Sequence, residues 1–120
     1  MHNSIAGIAI VKNESLYIEE WLLYHLSIGI DHFFIYDNFS EDDLSVLLRP
    51  YIQGGVVTLI NWPVSRGQDD AYFHAFRSLA KSFDWAACFD VDEFYVLKKH
   101  KTLKEFRKHP VYTAFPAKRG

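Results

Sequence analysis

The chain has 120 residues, of which 49% are apolar, 17% aromatic and 23% charged, a composition that supports one packed domain and excludes a disordered or low-complexity tail. Thirteen Lys and Arg against fifteen Asp and Glu leave a formal charge of -2, so the charge balance does not point to nucleic acid. A single cysteine, Cys88, rules out an internal disulfide and a cysteine-based zinc finger, and fits a reducing compartment.

The longest apolar run, Ile5 to Val11, is far short of the ~20 residues that cross a bilayer, and no basic segment precedes it as in a secretory leader. The expected location is cytoplasmic, with peripheral attachment to a membrane left open. The basic stretch Lys98 to Lys101 would suit anionic lipid, but reads more simply as a solvated loop.

Ile5 to Val11 (IAGIAIV) is β-branched and wholly apolar, as a strand buried on both faces of a parallel sheet must be. It gives way to Lys12-Asn13-Glu14-Ser15, where Asn13 or Ser15 is expected to cap a helix over 16–28 that stops at Gly29. On the helical wheel Ile18, Trp21, Leu22 and His25 share the inward face, and Glu20, Tyr24 and Ser27 form a narrow wetter stripe. His25 on that apolar face is expected to be a hydrogen-bonded core histidine.

His32 to Tyr36 (HFFIY) reads as the second strand, followed by the polar loop Asp37 to Asp43, whose Ser40 and carboxylates suit the start of a second helix over 42–51. Gly54-Gly55 marks a turn, Val56 to Ile60 (VVTLI) a third strand, and Pro63 the end of it. A third helix is predicted over 68–83, its wet stripe Asp70, His74, Arg77 and Lys81 spaced by helical turns. Trp85 to Phe89 (WAACF) is the fourth strand and runs straight into Asp90-Val91-Asp92-Glu93. A short helix over 102–108 is expected beyond it, and the last ten residues show no period. His32, His74, His100 and His109 read as surface residues, and Cys88 as an inert group in a buried strand.

Asn13, Asp37, Asn61 and Asp90 follow one another at intervals of 24, 24 and 29 residues, the period of repeating βα units. Right-handed crossovers then give an α/β fold: a Rossmann-like parallel sheet with helices on both faces, all four strand ends on one edge. Ligands of open α/β sheets bind at that edge, here lined by Asn13, Glu14, Asp37, Asn38, Asn61, Asp90 and Asp92. Ser65-Arg66-Gly67-Gln68 follows the third strand on the same edge, which makes Arg66 and Gln68 candidate contacts.

So acidic a rim repels phosphate unless a cation intervenes. The glycines, at 7, 29, 54, 55, 67 and 120, build neither the dinucleotide fingerprint nor a P-loop. Asp90 and Asp92, two apart at a strand end, can point to one side, and their hard oxygen ligands suit Mg²⁺ or Mn²⁺ shared with a diphosphate. Alone, Asp-x-Asp is a common strand exit; its place as the fourth end of a regular βα series singles it out.

Taken together, Ile10-Val11-Lys12-Asn13-Glu14, Glu20-Trp21 with Tyr24-His25, Ile35 to Asp42 (IYDNFSED) and Phe89 to Phe94 (FDVDEF) resemble the nucleotide-sugar-binding half of GT-A-fold glycosyltransferases, family 2-like and family 92-like. The resemblance implies metal-assisted, inverting transfer of a sugar from a nucleotide-diphosphate donor, UDP-sugar foremost, to a glycan or lipid-linked acceptor. It implies Asp92 on the metal, Asp90 on the metal or ribose, and Asn13, Glu14, Asp37, Asn38, Arg66 and Gln68 around the nucleotide sugar. Asp37 and Asn38 occupy the place of that family's Asp-Asp pair, and Phe39 that of its usual glycine. Residues 1–120 then form one donor-binding domain, short of the acceptor site and catalytic base, and the chain alone is expected not to transfer sugar. The competing readings are a non-catalytic nucleotide-sugar or metal-binding module and another Mg²⁺-dependent nucleotide-using transferase.

Overall fold

The structure, a computed structural model, describes residues 4–64, 68–88 and 114–116. Strand β1 (Ile5–Val11) leads to helix α1 (Ser15–Ser27), β2 (His32–Asp37), α2 (Leu44–Gln53) and β3 (Val57–Asn61). Helix α3 (Gln68–His74) continues as a π-helical turn (Ala75–Leu79) and a 3₁₀ turn (Ala80–Ser82) into β4 (Trp85–Cys88); β5 (Ala114–Pro116) completes the sheet. The strand order is β3-β2-β1-β4-β5. The first four strands are parallel and β5 runs antiparallel to β4. The expected Rossmann-like α/β architecture is therefore present, with an added antiparallel edge that the aperiodic tail did not announce.

Strand alternation sorts the core into two layers. Ile5, Ala9 and Val11 of β1 join Phe33 and Ile35 of β2 beneath Ile18, Trp21 and Leu22 of α1 and Leu44 and Leu48 of α2. On the opposite face Ala6 and Ile8 join Phe34 and Tyr36 beneath Ala71 and Ala75. The apolar runs are continuous because both faces are covered. Gly7 lies in a tight place: a Cβ there would stand 3.0 Å from Cδ2 of Phe33 and 3.3 Å from Cγ2 of Ile30. Gly7→Ala is expected to destabilise the domain by roughly 1–2 kcal/mol, overpacking outweighing the entropy gained, read as a lower urea midpoint at unchanged slope.

The glycine stops fall where expected. Gly29 (φ 121) follows α1, with Ile30 N–H donating to the His25 carbonyl at 3.0 Å and Gly29 N–H to that of Leu26 at 3.3 Å, the paired bonds of a Schellman cap. Gly55 (φ 83) closes α2 in the same way, Val56 N–H reaching the Tyr51 carbonyl at 3.0 Å.

The helix starts differ from expectation. Neither Asn13 nor Ser15 caps α1; Glu14 holds the cap position through its carbonyl and makes no side-chain cap bond. The cap position of α2 is Asp43, again without a side-chain bond, and Ser40 is engaged elsewhere. The third helix is not a single α-helix either. Its turn widens after His74, which the 4-3-4 spacing of the wet stripe could not reveal because an α-helix satisfies it equally.

The inward face of α1 is Ile18, Trp21, Leu22 and His25, as read from the wheel. Its outer face is broader and more apolar than the narrow wet stripe expected, with Leu16, Tyr17 and Leu23 exposed. His25 is fully buried, its Nδ1 donating to the Trp21 carbonyl at 2.9 Å. Burial pushes its pKa down from 6.5 to about 4, against the raising effect of that backbone bond. His32 and His74 are not surface residues but half-buried. His32 donates from Nδ1 to the Gly55 carbonyl (2.9 Å) and accepts at Nε2 from Thr58 Oγ1 (2.7 Å), and burial lowers its pKa too. His100 and His109, with the helix expected over 102–108, lie outside the described residues.

Candidate functional site

Parallel pairing brings the strand ends to one edge. Val11 stands beside Asp37, and Asp37 beside Asn61, with Asn13 two residues past the end of β1. The strand order reverses between β1 and β4, since β1 leads outward to β2 and β3 on one side and β4 lies on the other. The two loops leaving such a reversal diverge to opposite faces and open a crevice at the carboxyl edge.

The loops along this edge are tied to one another rather than to their own helices. Asn13 N–H donates to Ser40 Oγ (3.0 Å), and Glu41 N–H returns to Asn13 Oδ1 (2.7 Å). Ser15 N–H, a free donor of the first turn of α1, reaches Asp42 Oδ2 at 3.0 Å. The missing local cap is thus supplied by a carboxylate 27 residues away, in the favourable field of the helix N-terminus. Asp37 turns its own loop, accepting Ser40 N–H at Oδ1 (3.0 Å), while its carbonyl accepts Trp62 N–H at 2.9 Å. Asn38 donates from Nδ2 to the Trp62 (2.8 Å) and Val64 (2.9 Å) carbonyls. Both amide hydrogens of Asn38 therefore hold the β3 exit, so this candidate contact acts first as scaffold.

Among the described residues two non-glycine residues have positive φ, Asn13 at 56° and Phe39 at 63°, and both lie on this edge. Asparagine tolerates that region; a bulky side chain is held there at a cost of about 1–2 kcal/mol. Phe39 is 45% exposed.

Beneath the β3 exit, Tyr36 Oη lies 2.7 Å from His74 Nδ1, and the Trp62 ring packs on both, 5.3 Å from Tyr36 and 5.1 Å from His74 between centroids. Burial, and the neighbouring Cys88 thiol, push the Tyr36 phenol up to about 12, so it keeps its proton as the hydrogen-bond donor of the pair. This cluster was missed because His74 falls on the wet stripe of a regular helix. Burial also raises Cys88 to about 12, in keeping with an inert thiol.

Of the candidate residues, Asn13, Glu14, Asp37 and Asn38 are brought together on the edge. Arg66, Asp90 and Asp92 lie outside the described residues, as does the side chain of Gln68. Among the described residues no group of three His, Cys, Asp or Glu gathers to hold a metal ion, and Asp37 and Asp42 already accept backbone N–H groups. The described part of the edge does not itself make a metal centre.

The chain resembles a family 92 protein of Oryza sativa subsp. japonica, 29% identical over 104 residues, which is 86% of this chain and 18% of that one. A Ricinus communis family 92 protein is 30% identical over 100 residues, 82% of this chain and again 18% of the relative; the chain thus spans under a fifth of the curated relatives it matches. Among solved structures, the mannosyltransferase PcManGT of Pyrobaculum calidifontis, in complex with GDP-Man and Mn²⁺, superposes with a TM-score of 0.64 at 20% identity, over 79% of this chain and 29% of that one. Glucosyl-3-phosphoglycerate synthase of Mycobacterium tuberculosis, with Mn²⁺ and UDP, gives 0.56 at 22% identity, over 75% and 34%. These two share the fold and bear out the GT-A-like reading of it. The model of glycosyltransferase family 92 matches residues 4–113, and the chain belongs to that family.

Proposed function

We propose that this chain is the donor-binding part of a nucleotide-sugar-dependent, metal-assisted glycosyltransferase. The observation that carries the reading is the reversal of strand order between β1 and β4, with Asn13, Glu14 and Asp37 at the carboxyl edge where ligands of such sheets bind, in a chain of glycosyltransferase family 92. Asp90 and Asp92 follow directly on β4 in sequence, and their carboxylates are the hard donors that Mg²⁺ and Mn²⁺ prefer. A bound cation would neutralise charge on the departing nucleoside diphosphate. The chain's own residues supply the rest: Asp90 and Asp92 hold that cation, Asp37 reads ribose or base, and the tied loops fix the nucleoside without fresh ordering on binding. Arg66 and Gln68 are the proposed contacts from the third loop. UDP-sugar is the proposed donor and a glycan or lipid-linked hydroxyl the acceptor, with inversion at the sugar carbon. Among the described residues no helix is long and apolar enough to cross a membrane.

The test is calorimetry of the chain with UDP and Mn²⁺. Asp92→Asn is expected to weaken binding by about tenfold or more, since a direct ligand matters at least as much as its outer-shell partners. Glu93→Gln is expected to change it little, because neighbouring side chains of an extended segment alternate in direction. Undiminished binding in EDTA, or equal losses in the two variants, would count against the reading.

A further inference from the structure

We propose that Phe39 is the stacking platform for the nucleobase of the donor, an inference that rests on the donor-binding reading above. The ring stands in the turn between β2 and α2, 45% exposed, on a backbone at φ 63°. Neither backbone nor core accounts for a phenyl group there. Glycine meets this φ without steric cost, and Phe39 belongs to neither buried cluster. The turn is nevertheless fixed on both flanks, by Ser40 N–H on Asp37 Oδ1 and by the reciprocal bonds of Asn13 with Ser40 and Glu41. A strained backbone held so firmly at a ligand edge is where function is to be sought.

Position selects the occupant. Strand β2 is two places from β4 in the sheet, about 10 Å at the ordinary strand spacing. On the donor-binding reading the diphosphate belongs with Asp90 and Asp92, which follow β4 in sequence, and ribose and base would then extend past the end of β1 toward β2. The polar side chains there, Asn13, Glu14 and Asp37, bond the rim of a base and offer nothing to its flat face, and the Trp62 ring already packs on Tyr36 and His74. Phe39 supplies that surface. Stacking accepts any base, because every base has a π-face, so Phe39 contributes affinity while Asp37 and its neighbours discriminate.

The experiment measures binding of UDP, GDP and inorganic pyrophosphate, each with Mn²⁺, to the 120-residue chain and to Phe39→Gly and Phe39→Trp. Phe39→Gly should weaken UDP and GDP by about fivefold or more, and Phe39→Trp should keep both within about twofold. Pyrophosphate, which has no base, should bind all three proteins equally. The thermal midpoint of Phe39→Gly should be unchanged or higher, which a packing role for the ring would not allow. Nucleotide binding unaffected by Phe39→Gly, or pyrophosphate weakened in the same proportion, overturns the proposal and leaves the donor-binding reading standing. A wild-type chain that binds neither nucleotide nor pyrophosphate overturns both.

Discussion

Trp21→Ala should cost the domain about 3–5 kcal/mol, the range for deleting a fully buried large aromatic. Trp21 is 0% exposed, and its ring centroid lies 5.1 Å from those of both Phe33 and His25, so it joins α1 to β2 at the centre of one core layer. Domains of this size are stable by roughly 5–15 kcal/mol; one substitution would therefore remove about a fifth of the total or more. Urea unfolding followed by circular dichroism, which does not depend on the lost indole, measures the change. A loss below about 1 kcal/mol would mean that Trp21 does not fill the space described, since the removed transfer free energy alone exceeds that.

Acidification should destabilise the protein through His25. Its pKa lies near 4 in the fold against 6.5 in the free side chain, so between these values the unfolded chain binds the proton and the native chain does not. Stability is then complete above pH 6.5 and declines as the pH falls toward about 4, by roughly 3 kcal/mol for this group. His32 is shifted in the same direction by its own burial and steepens the same window. Urea midpoints taken from pH 7.5 to 4.5 test this. His25→Asn should flatten most of the slope whatever its absolute stability, and a slope unchanged in that variant would assign the effect elsewhere.

How legible the fold was in the sequence depended on how local its causes are. The run Ile5 to Val11 could only be a strand covered on both faces, and Gly29 and Gly55 fall just past the ends of α1 and α2, where positive φ is needed. The helix starts were misread because the partner of the first turn of α1 is Asp42, 27 residues on, and no local pattern encodes it. His74 was placed in solvent by a spacing that counts turns of an α-helix, whereas it meets Tyr36 across the sheet face where the helix widens. β5 is three residues long and owes its conformation to β4 rather than to a period of its own. At the site, the residue types at the strand ends revealed the edge, but not that Asn38 spends both amide hydrogens on the β3 exit.

The ties among Asn13, Ser15, Ser40, Glu41 and Asp42 have a consequence for redesign. Each of the two loops completes the other's hydrogen bonding, so neither is a module that can be exchanged alone. Grafting a foreign β1–α1 turn without Asn13 would leave Glu41 N–H without its acceptor, and a foreign β2–α2 turn without Asp42 would uncap a helix that is not its neighbour in sequence. Exchanging either loop on this scaffold therefore means transplanting residues 12–15 and 37–43 as one unit, with the intervening helix and strand as the fixed frame between them.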